Sequence, residues 1–108
     1  MNNSAKTSVA AGGSWYRCMG DILMIKLSFN ITQSCSQGDA LAVFPSPISG
    51  LYDCDALIPL YTNSTRIMRV NIKGNGIYFN SYAYKANENM TIGTGVFVRA
   101  NLVLNLKH

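Results

Sequence analysis

Hydrophobic and polar residues alternate one by one along several stretches of the chain, a pattern that predicts β-strands with one buried face. The clearest alternation runs over Ile22–Ile31, where five apolar side chains share one face: Leu23, Ile25, Leu27, Phe29 and Ile31. A helix is disfavoured because its geometry would spread these side chains around the whole circumference. Burying each of them stabilises the fold by about 1.5–3 kcal/mol relative to exposure, so we expect a central strand here.

A second alternation predicts a β-hairpin in the middle of the chain. Its apolar residues take every other position ahead of a Gly74-Asn75-Gly76 tripeptide: Met68, Val70 and Ile72. The aromatic-rich stretch 77–84 follows the tripeptide. Glycine and asparagine readily adopt positive φ, so we expect the tripeptide to reverse the chain between two antiparallel strands.

Shorter apolar stretches separated by turn residues complete the predicted elements: 15–19, 40–44, 51–61 and 96–106. Pro59 is expected at a sheet edge or a bulge, because proline cannot donate a hydrogen bond to a central ladder. No stretch shows a helical period. The pattern predicts an all-β fold, an antiparallel β-sandwich of jelly-roll-like topology in a single domain.

Residues 1–13 differ in composition from the rest of the chain. They are small and polar and end in two glycines, which predicts a flexible linker or an appended N-terminal extension ahead of a head domain over 14–108. Because the chain stops directly after a predicted strand, we expect it to be the C-terminal piece of a longer protein.

Composition and charge exclude several classes of protein. Hydrophobic residues make up 48% of the chain and charged residues 13%, which excludes a disordered chain. The net charge is +4, but the cations are scattered and form no basic stripe, so no nucleic-acid partner is expected. No apolar run approaches the roughly 20 residues that span a bilayer, and no signal peptide is visible, so no membrane insertion is expected.

The three cysteines lack the spacing of a disulfide framework or a zinc site. We therefore expect Cys18, Cys35 and Cys54 to be free thiols in a protein made in a reducing cytosol. N-glycosylation triplets do occur, and they leave a secreted lectin or viral glycoprotein open as an alternative: Asn2, Asn30, Asn63 and Asn89.

Catalytic machinery is poorly supported by the sequence. The single histidine, His108, is the last residue, where a catalytic triad would rest on a frayed end. Asp53 and Asp55 flank Cys54 and would share one strand face, but a solvated turn is a simpler interpretation than a glycosidase pair. No enzyme activity, catalytic residue, cofactor or metal is therefore predicted.

Binding is the class of function that remains. The chain carries one tryptophan and six tyrosines, whose flat faces and polar tips suit sugar rings and their hydroxyl groups. The alternative is that these aromatic residues lie in the core or in contacts between subunits. Outward-facing Met24, Phe97 and Val103 favour such contacts, because exposed apolar residues on a sheet call for a cover.

The order of these features resembles the C-terminal head domains of bacteriophage tail and baseplate proteins. The residues that carry the resemblance form an opening, two proline-containing segments and a hairpin: Tyr16, Arg17, Gly20, Asp21, Phe44, Pro45, Pro59, Val70, Ile72, Gly76 and Ile77. The resemblance implies a homotrimeric head in the virion, assembled in the host cytoplasm. Such a head recognises a host cell-surface saccharide, or else serves as a structural module that mounts other tail proteins.

Within that resemblance, the polar loops predict a shallow saccharide site. Tyr52, Asp53 and Asp55 lie together in one loop, and Asn87 lies in a neighbouring loop as a possible helper. Antiparallel strands gather some of their loops at one end of a sandwich. Three subunits would then present three weak sites, and trivalency would raise the apparent affinity.

Overall fold

A computed structural model of the chain describes residues 1–10, 12–60, 66–84, 87–89 and 91–107, and this part contains strands and no helix. The strands, in chain order, are β1 (Asn2–Asn3), β2 (Thr7–Val9), β3 (Trp15–Met19), β4 (Ile22–Ile31), β5 (Cys35–Ser36), β6 (Ala40–Val43), β7 (Cys54–Pro59), β8 (Arg66–Lys73), β9 (Gly76–Tyr84), β10 (Asn87–Asn89), β11 (Thr91–Ile92) and β12 (Phe97–Asn105).

The strands form two main antiparallel sheets that face each other. The six-stranded sheet has the order β1-β6-β9-β8-β7, with β10 also paired to β9. The four-stranded sheet has the order β12-β4-β2, with β3 also paired to β4. A small third sheet joins β11 and β5. The predicted all-β sandwich is therefore confirmed, and Pro59 lies on the edge strand β7, as expected from its missing donor.

The core lies between the two sheets and contains the alternating residues that the sequence indicates. All five inward side chains of β4 are at most 2% exposed. They pack in one cluster with the inward residues of the β8–β9 hairpin: Met68, Val70, Ile72, Ile77 and Phe79. The prediction that β4 is central is confirmed, since β12 pairs along one side of it and β2 and β3 along the other.

The β8–β9 hairpin forms as expected, but the reason for its second glycine is different. Lys73 pairs with Gly76, so the loop itself is Gly74-Asn75. Neither glycine has a positive φ, and that part of the prediction is wrong. A Cβ on Gly76 would instead collide with the carbonyl oxygen of Ala42 and lie 3.0 Å from Cα of Val43. Gly76 is therefore needed for the close approach of β6.

The structure also differs from the expected linker over residues 1–13. Strand β1 pairs with β6 in the six-stranded sheet, and β2 pairs with β4 in the four-stranded sheet. The Thr7 side chain is buried, and its hydroxyl donates to the carbonyl oxygen of Leu41 at 2.8 Å. Backbone pairing and hydroxyl groups hold this segment, and Met1 also packs against the core.

An ion pair adds a further contact to the N-terminal segment. The Lys6 ammonium lies 2.6 Å from the Asp39 carboxylate, to which the backbone N–H of Ser36 also donates at 2.7 Å. The hydrogen bond from Lys6, followed by that from Ser36, lowers the pKa of Asp39. The same hydrogen bond to Asp39 raises the pKa of Lys6.

The three cysteines are free thiols in different surroundings. Cys18 is exposed on β3, Cys35 is buried and Cys54 is half-buried at the start of β7. Burial is the largest cause that raises the pKa of the Cys35 thiol, so this sulfur stays protonated at neutral pH. Within the described ranges, no helix has the length and apolar character needed to cross a membrane.

Candidate functional site

The outer face of the six-stranded sheet carries a row of polar side chains that crosses three strands. Inward Val70 and Ile72 leave the alternate residue Asn71 on the opposite face of β8. The register places Asn71 opposite Asp55 of β7 and opposite Tyr78 of β9. Directly opposed residues in antiparallel strands have Cβ atoms about 4.5–5.5 Å apart, so these three side chains are neighbours.

Side-chain hydrogen bonds fix the orientation of this row. Asn71 donates from Nδ2 to Oδ1 of Asp55 at 2.5 Å, and Asn80 donates from Nδ2 to Oδ1 of Asn71 at 3.1 Å. Asn80 is the extra residue of a bulge, because Val70 pairs with Phe79 whereas Arg69 pairs with Ser81. A bulge re-aims a side chain, which explains how Asn80 reaches Asn71.

A shallow open groove of about 360 Å³ lies beside this row. Its lining comes from the residue directly before β7, the start of β7 and the second half of β8: Asp53, Cys54, Asp55, Asn71 and Lys73. The Lys73 ammonium also lies 5.3 Å from the centre of the Tyr78 ring, within the range of a cation–π contact. The groove volume is at the lower end of the range for small-molecule sites, roughly 300–1,000 Å³.

The groove suits hydrogen bonding rather than covalent chemistry. Burial raises the pKa of the Cys54 thiol, and the neighbouring carboxylates of Asp55 and Asp53 raise it further. The sulfur therefore stays protonated at neutral pH and is a poor nucleophile. Across the described residues, no cluster of three or more His, Cys, Asp or Glu side chains could hold a metal ion. The exposed carboxylates can accept hydrogen bonds from the hydroxyl groups of a ligand.

The structure brings together two of the four residues that the sequence predicts for the site. Asp53 and Asp55 line the same groove. Tyr52 does not line it: its side chain is 66% exposed, and its ring centre lies 5.8 Å from the Lys107 ammonium. The backbone of Asn87 pairs with Tyr84 on β9. At a rise of about 3.3 Å per residue, that position is roughly 20 Å along the strand from Tyr78.

The sequence interpretation missed the residues of β8 and β9 that complete the polar row. The short Gly74-Asn75 loop was a usable signal, since a two-residue loop sets Asn71 opposite Tyr78. No comparable signal identified Asp55 as the partner of Asn71, because residues 61–65 between β7 and β8 carry no turn motif that sets a register.

Comparison with solved structures identifies a protein of similar fold. It is the head domain of phage bIL170. The crystal structure of that domain raised the question of whether the receptor-binding domains of lactococcal phages share a common fold. The TM-score is 0.67, and the match covers 98% of this chain and 94% of the other at 16% sequence identity. No family model and no curated protein matches the sequence. The resemblance to phage receptor-binding heads is thus confirmed at the level of the fold.

Proposed function

We propose that this protein is a host-recognition head domain of a phage tail or baseplate, and that it binds a cell-surface saccharide. The observation that carries the proposal is the likeness to the bIL170 head domain over nearly the whole length of both chains. The proposed partners are a host saccharide, further copies of the chain and other tail proteins. A protein with this role is part of the virion and is assembled in the host cytoplasm, where free thiols persist.

The groove beside Asp53 and Asp55 is the proposed saccharide site. The Asp55 carboxylate is held by the Asn71 amide, so it can accept a sugar hydroxyl without first being ordered. The Tyr78 ring lies next in the row and offers an apolar face of the kind on which sugars stack. Tyr52 and Asn87 stay sequence predictions, as they lie outside the groove.

Avidity supports recognition by so shallow a site. One copy offers few contacts, and we expect weak binding from it. The trimer implied by the phage resemblance would present three grooves, and tethered sites can exceed the single-site affinity by about 10²–10⁴-fold.

The test is binding of the native oligomer to a glycan array and to purified bacterial cell walls, beginning with lactococcal strains. We expect Asp55→Ala and Asn71→Ala each to weaken binding by about tenfold or more, since a hydrogen bond to a charged group contributes about 1.5–3 kcal/mol. Asn2→Ala removes an exposed asparagine of β1, at the opposite edge of the six-stranded sheet from β7, and serves as the matched control.

Three outcomes separate the alternatives. Absence of binding by the wild-type oligomer favours a structural tail module. Binding that survives Asp53→Ala combined with Asp55→Ala moves the site away from the groove. A loss with Tyr52→Ala that equals the loss with Tyr78→Ala extends the site toward the Lys107 end of the sandwich.

A further inference from the structure

Strand β12 has one unpaired edge. It pairs with β4 over all nine of its residues, from Phe97 opposite Asn30 to Asn105 opposite Ile22. On its other side, no strand among the described residues pairs with it. Such an edge presents a row of backbone N–H and C=O groups that can pair with another chain.

Two other sheet edges, the strand β7 and the edge formed by β2 and β3, carry features that block such pairing, whereas β12 carries few. Strand β7 ends in Pro59, which has no donor. The edge of the four-stranded sheet opposite β12 is divided into the short strands β2 and β3, between which Gly12 and Gly13 have positive φ. The sequence of β12, FVRANLVLN, contains no proline, glycine or lysine.

Apolar side chains on both faces of β12 are incompletely covered. On the outer face, Val103 is 65% exposed. On the inner face, Ala100, Leu102 and Leu104 pack against the core but are only partly buried. The sandwich is therefore open along this margin, and a strand added beside β12 would cover apolar surface as well as pair the backbone.

We propose that two copies of this chain associate through antiparallel pairing of β12 with β12, about a twofold axis at Asn101. This register places Val98 opposite Leu104 and Ala100 opposite Leu102, so the inner face joins apolar residues throughout. On the outer face Arg99 lies opposite Val103 of the other copy, and Asn101 faces its own counterpart. No charged residue faces a like charge.

This self-complementarity identifies a second copy as the occupant of the edge. A twofold contact uses the same surface on both subunits, so the strand must match its own reverse. The β12 sequence does so in the register centred on Asn101. A register centred on Arg99 would instead oppose two guanidinium groups, at a cost in stability. The contact does not depend on the saccharide groove, which lies on the other sheet. Two trimers joined by this edge would form a six-chain assembly.

Sedimentation velocity from micromolar to submillimolar concentration tests the proposal. We expect the wild type to reach two or six times the chain mass of 11.8 kDa. Val103→Lys should weaken the association by about tenfold or more, because symmetry places two new like-charge pairs against Arg99. Val103→Glu should associate more tightly than Val103→Lys, since it faces the same guanidinium with opposite charge. Val9→Lys, at a position 70% exposed on β2, is the matched control.

A wild-type mass of one chain at the highest concentration overturns the proposal. So does a three-chain mass at that concentration, because the β12 contact joins copies in pairs. Equal association by the Lys and Glu variants at position 103 overturns the register centred on Asn101. Because Val103 is exposed, we expect circular dichroism to show that all variants keep the fold.

Discussion

Thr7→Val tests whether the N-terminal segment is part of the folded domain. Leu41 is the extra residue of a bulge in β6, because Ala40 pairs with Tyr78 whereas Ala42 pairs with the adjacent Ile77. A bulge interrupts the ladder locally, and the Thr7 hydroxyl donates to the Leu41 carbonyl at this point. Valine keeps the shape of threonine but removes this buried donor.

The expected loss follows from the hydrogen bonds that Thr7 makes. A neutral hydrogen bond contributes about 0.5–1.5 kcal/mol net, and leaving a buried carbonyl without a partner costs about 1–3 kcal/mol. The Thr7 oxygen also accepts from the backbone N–H of Ser4 at 3.0 Å. We therefore expect Thr7→Val to lower the free energy of unfolding by about 1–3 kcal/mol.

Urea denaturation followed by circular dichroism measures this loss. With a slope of about 1–3 kcal/mol per molar urea, the midpoint should fall by roughly 1 M at an unchanged slope. Thr91→Val, at an exposed position of β11, is the control and should stay within about 0.5 kcal/mol of the wild type. If Thr7→Val matches that control, residues 1–10 do not contribute to the stability of the domain, and the linker interpretation is restored.

Three further predictions follow from the core, the hairpin and the ion pair. Leu27→Ala, at a fully buried position, should cost about 2–5 kcal/mol in urea denaturation, and a loss under about 0.5 kcal/mol would contradict its burial. Gly76→Ala should cost about 1–3 kcal/mol in the same assay, because its Cβ meets the Ala42 carbonyl; a neutral effect would contradict that approach. For Asp39→Asn, the deficit in denaturation midpoint relative to the wild type should be largest near neutral pH. It should shrink as pH falls through the lowered pKa of Asp39, and again as pH rises through the raised pKa of Lys6, whereas a deficit independent of pH would contradict the ion pair.

Local sequence patterns predict the strands of this fold well, because side-chain alternation reports directly on burial. The bounds of β4 follow from its alternation, and the turn between β8 and β9 follows from Gly74-Asn75. The role of Gly76 could not be predicted, because the atom it would strike belongs to β6, distant in the chain. Thr7 was missed for a related reason, since a single hydroxyl leaves no periodic signal.

The candidate site was harder to predict than the fold. The proximity of Asp53 and Asp55 follows from their spacing in the sequence. The contact of Asp55 with Asn71 depends on the register between β7 and β8. Neither the turn residues nor the side-chain pattern determines that register here. The contribution of Asn80 depends on a bulge, which adds one residue to a strand without changing its composition.

Strand β4 pairs with strands that come early and late in the domain, and this has a consequence for synthesis on the ribosome. Its partners β2 and β3 are made before it, but its longest partner, β12, is made after every other strand of the domain. Until then Leu27 and Phe29 lie in an incomplete sheet, although the strands of the opposing sheet have already been made. Nascent chains with exposed apolar strands aggregate readily and bind chaperones. We expect the four-stranded sheet to close only after β12 has been made, so that chains terminated before Phe97 yield insoluble fragments rather than folded domains.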